Sequence, residues 1–227
     1  MKRVARRSVL PDWTWPELAQ MAREEGRWII GVDEAGRGPL CGPVVAGAAA
    51  LADPNPIEGL ACSKTLSPKR RAALYAHITA HAPAWALAQG SVEEIDELNI
   101  LQASLLAMHR AVDQVVAQLQ LPLDHVLVLV DGNRLPQWPY RSVAVVKGDE
   151  KVPAISAGSI LAKVNRDRWC EAQARLYPQY GLDVHMGYPT PMHLERLQIH
   201  GASPIHRRSF GPVQQVLAAH QSQEYRP

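Results

Sequence analysis

The chain has 227 residues, with 47% hydrophobic and 20% charged residues, which is typical of a soluble globular protein with one large core. Its formal net charge of +2 is too small to indicate a polyanionic partner by itself. The three cysteines are far apart and odd in number, which argues against a disulfide scaffold or a structural zinc site and predicts a reducing, cytoplasmic location.

The first half of the chain predicts a basic tail, an amphipathic helix and then a sheet. Ser67 followed by Pro68 is typical of a helix start. The apolar region at 44–51 is too short to cross a bilayer. In chain order, the patterns predict a helix at 15–25, strands at 28–34 and 43–52, a loop at 53–56, a helix at 67–81, a strand at 84–92 and a helix at 100–119.

The second half contains two continuous apolar runs, at 126–130 and 142–146, which are typical of strands buried on both faces. Helices are predicted at 153–176 and 191–197. An early hairpin followed by strands that alternate with helices predicts a mixed α/β sheet with covered faces.

The segment at 29–39 combines two adjacent acids with a Gly-Arg-Gly turn. Asp33 and Glu34 end an apolar run, where an ionised carboxylate costs several kcal/mol unless a cation or hydrogen bonds compensate it. Gly36 and Gly38 would let backbone N–H groups approach a ligand closely. The segment therefore predicts a cation site beside a phosphate-binding loop.

Acids recur at the predicted ends of two further strands, at Asp131 and Asp149. If these ends are neighbours, four carboxylates gather at one place, because ligands collect at the carboxyl ends of strands in open α/β sheets. Hard oxygen donors select Mg²⁺ or Mn²⁺, and two such ions suit phosphodiester hydrolysis. Asp131 and Asp149, each taken alone, also fit a solvated turn, since Asp-Gly after an apolar run is common turn chemistry. Asp33 and Glu34 fit that alternative less well, because they immediately precede the glycine-rich turn.

Other side chains offer alternative ligands. Asp167 is a competing fourth metal ligand, although an Asp beside Arg166 on a helix more often forms a surface ion pair. Four histidines could suggest zinc, but their spacing matches no ligand motif, which favours structural hydrogen bonds. These are His185, His193, His200 and His206.

Seven motifs in the same order resemble the ribonuclease HII family. The opening, Asp-Glu-Ala-Gly-Arg-Gly-Pro at 33–39, is highly specific, and the resemblance covers about 28–210. The further motifs lie at 63–67, 129–132, 147–149, 159–167, 185–188 and 205–210.

The resemblance implies an RNase H-like fold, in which helices flank a five-stranded mixed sheet and a C-terminal helical extension follows. It implies an endoribonuclease that cleaves 5′ to a ribonucleotide, in RNA–DNA hybrids and at single ribonucleotides embedded in duplex DNA. The products would be 3′-hydroxyl and 5′-phosphate ends, and the role would be removal of RNA primers and misincorporated ribonucleotides.

The family's functional residues fall on matching positions of this chain. The resemblance implies that two divalent cations, Mg²⁺ or Mn²⁺, are held by four acids, and that the substrate is bound by the Gly-Arg-Gly loop, a lysine and a sugar-stacking tyrosine. The acids are Asp33, Glu34, Asp131 and Asp149. The substrate-binding residues are Gly36, Arg37, Gly38, Lys64 and Tyr188. One departure is Cys62, which stands where the family usually has an acid.

The expected organisation has three parts: a basic N-terminal extension at 1–27, a catalytic core at 28–176 and a C-terminal helical region at 177–227 that helps to bind substrate. The expected form is a monomer without membrane association, whose partners are RNA–DNA hybrids and ribonucleotide-containing duplexes. A non-catalytic RNA–DNA binding module is the alternative from another functional class. It would not need all four acids.

Overall fold

The computed structural model describes residues 8–9, 15–52 and 57–224. The basic cluster predicted at the N-terminus, which includes Lys2, Arg3, Arg6 and Arg7, and the loop predicted at 53–56 lie outside the described residues. In the described part of the chain, no helix has the length and apolar character needed to cross a membrane.

One mixed sheet forms the centre of the molecule. Its strands are β1 (Ser8–Val9), β2 (Trp28–Ala35), β3 (Val44–Ala50), β4 (Ala84–Gly90), β5 (Val126–Asp131) and β6 (Ser142–Val145). Their order across the sheet is β1-β6-β5-β2-β3-β4. β2 pairs with β3 antiparallel and with β5 parallel, β4 pairs antiparallel with β3, and β6 pairs parallel with β5. The five-stranded mixed sheet is confirmed, and the two-residue β1 extends it beside β6.

Helices cover both faces of this sheet and form the C-terminal part of the chain. They are α1 (Trp15–Glu24), α2 (Pro68–His81), α3 (Val92–Leu98), α4 (Ile100–Leu119), α5 (Gly148–Lys151), α6 (Pro153–Leu176), α7 (Leu182–His185), α8 (Pro191–His200) and α9 (Gly211–Glu224). Ser67 caps α2 as expected, because its side chain accepts a hydrogen bond from the Arg70 N–H.

The central strands alternate between two cores. Ile29, Leu127 and Leu129 belong to the core beneath α6, whereas Ile30 and Val128 belong to the core beneath α4. Burial on both faces explains why β5 is apolar throughout. The two helices therefore hold the carboxyl ends of β2 and β5 in fixed positions.

Several predicted boundaries differ from the structure by one to three residues, as for β3 and α8, and two of the differences have a clear local reason. The strand predicted at 84–92 ends at Gly90, because Ser91 and Glu94 form a reciprocal capping box that begins α3. The strand predicted at 142–146 ends at Val145, and the left-handed residue Lys147 (φ 54°) leads into α5. Asp149 consequently lies on a short helix and not at the end of a strand.

Candidate active site

The register of β2 and β5 makes two of the predicted acids neighbours. Val32 pairs with Val130 in the parallel ladder, so Asp33 and Asp131, the next residue on each strand, lie side by side on the same face. Neighbouring strands are about 4.8 Å apart. The two carboxylates therefore lie next to each other at the carboxyl end of the sheet.

Asp33 is buried next to α6. The Ser159 hydroxyl donates a hydrogen bond to the carboxylate, and the Glu34 N–H donates to Asp33 Oδ1 at 2.7 Å. Burial, followed by the charges of Glu34 and Asp131, raises the pKa of Asp33 well above its usual value. A cation bound here would favour the ionised form and so offset the cost of its burial.

Glu34 is oriented by the loop that follows it. Arg37 Nη1 lies 3.3 Å from Glu34 Oε1 in an ion pair. Burial raises the pKa of Glu34, and the opposing effect of Arg37 does not cancel that rise. The arginine of the Gly-Arg-Gly loop thus interacts with an acid of the predicted metal set.

Asp131 connects β5 to the short helix that carries Asp149. Its Oδ1 accepts hydrogen bonds from the Gly148 N–H at 2.7 Å and the Asp149 N–H at 3.4 Å. The Ser156 hydroxyl donates to the Asp149 carbonyl at 2.7 Å, which ties this turn to α6. Burial, followed by the charge of Asp149, raises the pKa of Asp131. The third and fourth acids are therefore held together through the backbone of α5.

Lys64 interacts electrostatically with all four acids. Burial lowers the pKa of Lys64, but Asp149, Asp33 and other neighbouring acids outweigh this effect, and the pKa is raised overall. Four carboxylates thus lie near the cations of Lys64 and Arg37, whereas Lys163, which also lines the adjoining cleft, pairs with Asp167. An all-oxygen donor set of this kind fits Mg²⁺ or Mn²⁺.

One group of three potential ligand atoms within 4.8 Å of one another occurs among the described residues, and it consists of Cys62, Asp149 and Glu150. No three of the four predicted acids are that close. Like charges repel unless a cation lies between them. The Cys62 thiol hydrogen-bonds to Asp149, so the residue that departs from the family pattern contacts one of the predicted ligands.

A cleft of about 250 Å³ adjoins the acids. Asp131 and Asp149 lie outside its lining, and the other seven of the nine predicted site residues contribute to it. The seven are Asp33, Glu34, Gly36, Arg37, Gly38, Lys64 and Tyr188. The structure thus places the predicted substrate-binding loop, lysine and tyrosine around one space, whose lining also includes Asp33 and Glu34.

The two loop glycines are required by close contacts. Gly36 has φ 97°, and a Cβ there would lie 2.8 Å from Arg166 Nε. A Cβ on Gly38 would lie 3.2 Å from Cε1 of Tyr188. The tyrosine ring is half-exposed beside the loop. Its flat face is therefore available to a ligand that enters the cleft.

Two buried arginines next to this loop received no role from the sequence. Arg166 donates from Nη2 to the Cys41 carbonyl at 2.7 Å, and Arg207 donates to carbonyls of the loop itself. Both arginines lie within motifs that resemble the ribonuclease HII family, at 159–167 and 205–210, and this position could have indicated a functional role. Their hydrogen-bond partners could not be predicted from the sequence, because Arg207, for example, is 171 residues from Gly36.

The alternative ligands have other partners. The carboxylate of Asp167 pairs with Lys163 Nζ at 2.7 Å and with Arg71 at 3.9 Å, as expected of an ion pair. His193 and His206 are hydrogen-bonded to each other between their Nε2 atoms at 3.3 Å. His185 stacks on His193 with ring centroids 4.4 Å apart. These contacts support structural roles for Asp167 and for the three histidines.

The sequence profile described as Ribonuclease HII matches residues 30–213. The chain belongs to the ribonuclease HII family. A family member from Delftia acidovorans, named Ribonuclease HII, is 57% identical over 203 residues, which are 89% of this chain and 84% of that protein. The chain is accordingly a ribonuclease H, a hydrolase that acts as an endonuclease on RNA–DNA hybrids.

Solved structures agree with this family assignment. The ribonuclease H2 of Pyrococcus horikoshii OT3 superposes with a TM-score of 0.65 at 27% identity, covering 86% of this chain and 99% of that one. The Bst-RNase HIII solved in complex with Mn²⁺ superposes with a TM-score of 0.66, covering 88% and 73% respectively. At 18% identity, the latter shows a shared fold. The predicted RNase H-like fold is confirmed.

Proposed function

We propose that this chain hydrolyses the phosphodiester on the 5′ side of a ribonucleotide, both in RNA–DNA hybrids and at single ribonucleotides embedded in duplex DNA. Such an activity would serve to remove RNA primers and misincorporated ribonucleotides. The observation that supports it most is the position of the Gly-Arg-Gly loop, which begins three residues after Asp33 and lines the same cleft. Recognition of a ribose and cleavage of its phosphate would then occur together.

The acids would hold two divalent cations, Mg²⁺ or Mn²⁺, through Asp33, Glu34, Asp131 and Asp149. When bound, these ions supply activated water and stabilise the leaving oxygen. Asp33 is oriented by Ser159, and Asp131 by the N–H groups of α5. Fixed ligand directions of this kind limit the reorganisation that the site must undergo during the reaction.

The cleft residues would select the substrate. The backbone of Gly36 and Gly38 can approach the 2′-hydroxyl because these two residues have no side chains, and the 2′-hydroxyl distinguishes RNA from DNA. Lys64 would contact a phosphate. Tyr188 would stack on the deoxyribose that follows the ribonucleotide, where a 2′-hydroxyl would meet the ring. The product would carry a 3′-hydroxyl and a 5′-phosphate, since water and not the 2′-hydroxyl attacks.

The decisive experiment uses a labelled duplex with one ribonucleotide, Mg²⁺ or Mn²⁺, and a denaturing gel. Asp131→Asn should lower the cleavage rate by about a thousandfold or more and keep the fold. The asparagine oxygen can still accept from the Gly148 N–H. Asp124→Asn, a substitution at a surface residue paired with His125, is the matched control and should cleave normally.

The chemical nature of the product ends provides a second measurement. A DNA polymerase should extend the upstream fragment, because extension requires a free 3′-hydroxyl. Undiminished cleavage by Asp131→Asn would contradict the assignment of the acids. An upstream fragment that ends in a 2′,3′-cyclic phosphate would show that the ribose itself attacked.

A further inference from the structure

Arg207 is a fully buried cation whose guanidinium donates four hydrogen bonds, all to backbone carbonyls. Nη2 donates to Gly36 at 2.6 Å, Nη1 donates to Arg37 at 3.0 Å and to Pro39 at 2.7 Å, and Nε donates to Gly42 at 2.8 Å. The Arg207 side chain thus binds the backbone of the Gly-Arg-Gly loop and that of two residues that follow it, Pro39 and Gly42.

These bonds determine the direction of the loop's amides. In a trans peptide the C=O and N–H groups point in opposite directions. Because the carbonyls of Gly36 and Arg37 point towards Arg207, the N–H groups of Arg37 and Gly38 point away from it. The loop lines the cleft and Arg207 does not. Both N–H groups are therefore directed towards the side on which substrate enters.

Among the described residues, neither N–H donates to a backbone carbonyl. Arg37 and Gly38 are both exposed, so their N–H groups are open to a ligand that enters the cleft and would displace water from them. An oxygen-rich group, such as a phosphate or a ribose hydroxyl, would satisfy them.

Arg207 has little freedom to move. Its backbone N–H donates to the Leu40 carbonyl at 2.9 Å, and its guanidinium carbon lies 5.1 Å from the Phe210 ring centroid. A lysine at this position would be a compact point charge without the planar fork, and it could not hold the four carbonyls in the same arrangement.

We propose that Arg207 is a positioning residue for ribonucleotide recognition. By holding the carbonyls of Gly36 and Arg37, it aims the N–H groups of Arg37 and Gly38 at the 2′-hydroxyl and the adjacent phosphate of the substrate. This inference rests on the proposed function, because it assumes that the Gly-Arg-Gly loop contacts the ribonucleotide.

The test measures binding in an Asp131→Asn background with Mg²⁺, so that substrate is not consumed. Fluorescence anisotropy gives the affinity for a duplex with one ribonucleotide and for an all-DNA duplex of the same sequence. Adding Arg207→Lys should reduce the preference for the ribonucleotide by about tenfold or more, the effect of losing one strong hydrogen bond. The affinity for the all-DNA duplex should change by less than about twofold, because the positive charge remains.

The matched control is Ile78→Ala. Ile78 is a fully buried residue of α2 in the core beneath α6. This variant should melt at a lower temperature and keep the ribonucleotide preference, which separates loss of positioning from loss of stability.

Each outcome decides the inference. An unchanged preference in folded Arg207→Lys overturns it and leaves the proposed function intact. Absence of any preference in the Asp131→Asn background also overturns it, and the failure extends to the proposed function if the wild type does not cleave the ribonucleotide duplex. If Arg207→Lys does not fold, Phe210→Leu, which loosens the guanidinium and keeps its donors, replaces it. A preference reduced by about threefold or more then supports the inference, and an unchanged one overturns it.

Discussion

Residues at and just after the end of β2 contribute in different ways, some through an acidic side chain and one through the absence of a side chain. Asp33 and Glu34 are acids whose surroundings raise the pKa of both groups, whereas Gly36 is needed for its missing side chain. The side chain of Arg37 is about half-exposed, and it forms an ion pair with Glu34. Exposed ion pairs of this kind contribute at most about 1 kcal/mol. The backbone of the loop should therefore matter more to recognition than its arginine side chain.

Gly36→Ala and Arg37→Ala test this difference at the residue scale. Alanine at 36 must adopt φ 97° with its Cβ 2.8 Å from Arg166 Nε and 3.1 Å from the Pro43 carbonyl, so the loop must shift. We expect kcat/KM on a single-ribonucleotide duplex to fall by about a hundredfold for Gly36→Ala and by about tenfold or less for Arg37→Ala. Equal losses would show that close backbone approach is the wrong explanation.

At the scale of elements, α6 packs directly onto β2 because a glycine faces it. A Cβ on Gly31 would lie 2.1 Å from the backbone carbon of Ala154 and 2.2 Å from the backbone nitrogen of Ile155. Such a contact cannot be relieved by turning a side chain. The same helix carries Ser159, which orients Asp33, so this packing determines the geometry of the site.

Gly31→Ala should lower the free energy of unfolding by about 3 kcal/mol or more, since the helix must move off the sheet. Gly26→Ala is the matched control, because Gly26 has φ 63° but nothing within 4 Å of an added Cβ. It should cost only the conformational strain of about 1–2 kcal/mol. Urea denaturation measures both. Equal losses would mean that the interface has room for a methyl group.

A hydrogen-bonded pair of histidines connects α8 to the loop before Arg207. The Ser203 N–H donates to His206 Nδ1 at 3.1 Å, so the proton of His206 is on Nε2 and is donated to His193. His193 Nδ1–H then donates to the carbonyls of Gly187 at 3.1 Å and Tyr188 at 3.0 Å. The backbone that carries the tyrosine is thereby fixed by two neutral histidines.

Stability should depend on pH through this pair. Burial, followed by His193, lowers the pKa of His206 from 6.5 to about 4. Because the unfolded chain binds this proton more readily, the contribution is present above pH 6.5 and is lost as the pH falls through about 4. Between about pH 7 and about pH 4, the wild type should lose about 3 kcal/mol more than His206→Asn in urea titrations. Parallel curves would contradict the assignment.

At the scale of the whole molecule, the C-terminal region is tied to the first strands. The Leu40 N–H donates to the Gly187 carbonyl and the Gly42 N–H donates to the Ile205 carbonyl, both at 2.8 Å. Leu40 also lies in one apolar cluster with residues of α8 and α9. At the other end, Leu18 of α1 is fully buried in the core beneath α6. The three predicted parts of the chain thus share cores and hydrogen bonds.

Calorimetry should accordingly show one cooperative transition, with equal calorimetric and van't Hoff enthalpies. The physical reason is that release of residues 177–224 would expose the buried Arg207 and leave the carbonyls that it binds without their donor. Two resolved transitions would show that the C-terminal region unfolds as a separate domain.

The sequence by itself determined the order of most elements, and it supplied the hypothesis about the chemistry of the site. Periodicity and capping are local signals, so β5, α4 and the start of α2 were predicted close to their positions. The acids and the Gly-Arg-Gly loop are contiguous in sequence or follow apolar runs. Hard-metal chemistry beside a phosphate-binding loop could therefore be inferred before the fold.

Only the tertiary structure decided which groups meet. Asp33 and Asp131 are neighbours because β2 pairs with β5 in one register, and strand pairing is a long-range choice that local patterns do not encode. The same holds for Arg207 beneath the loop and for the histidine pair. A buried cation whose partners are backbone carbonyls leaves no complementary residue type in the sequence. Its role is visible only once the folded chain brings those carbonyls to it.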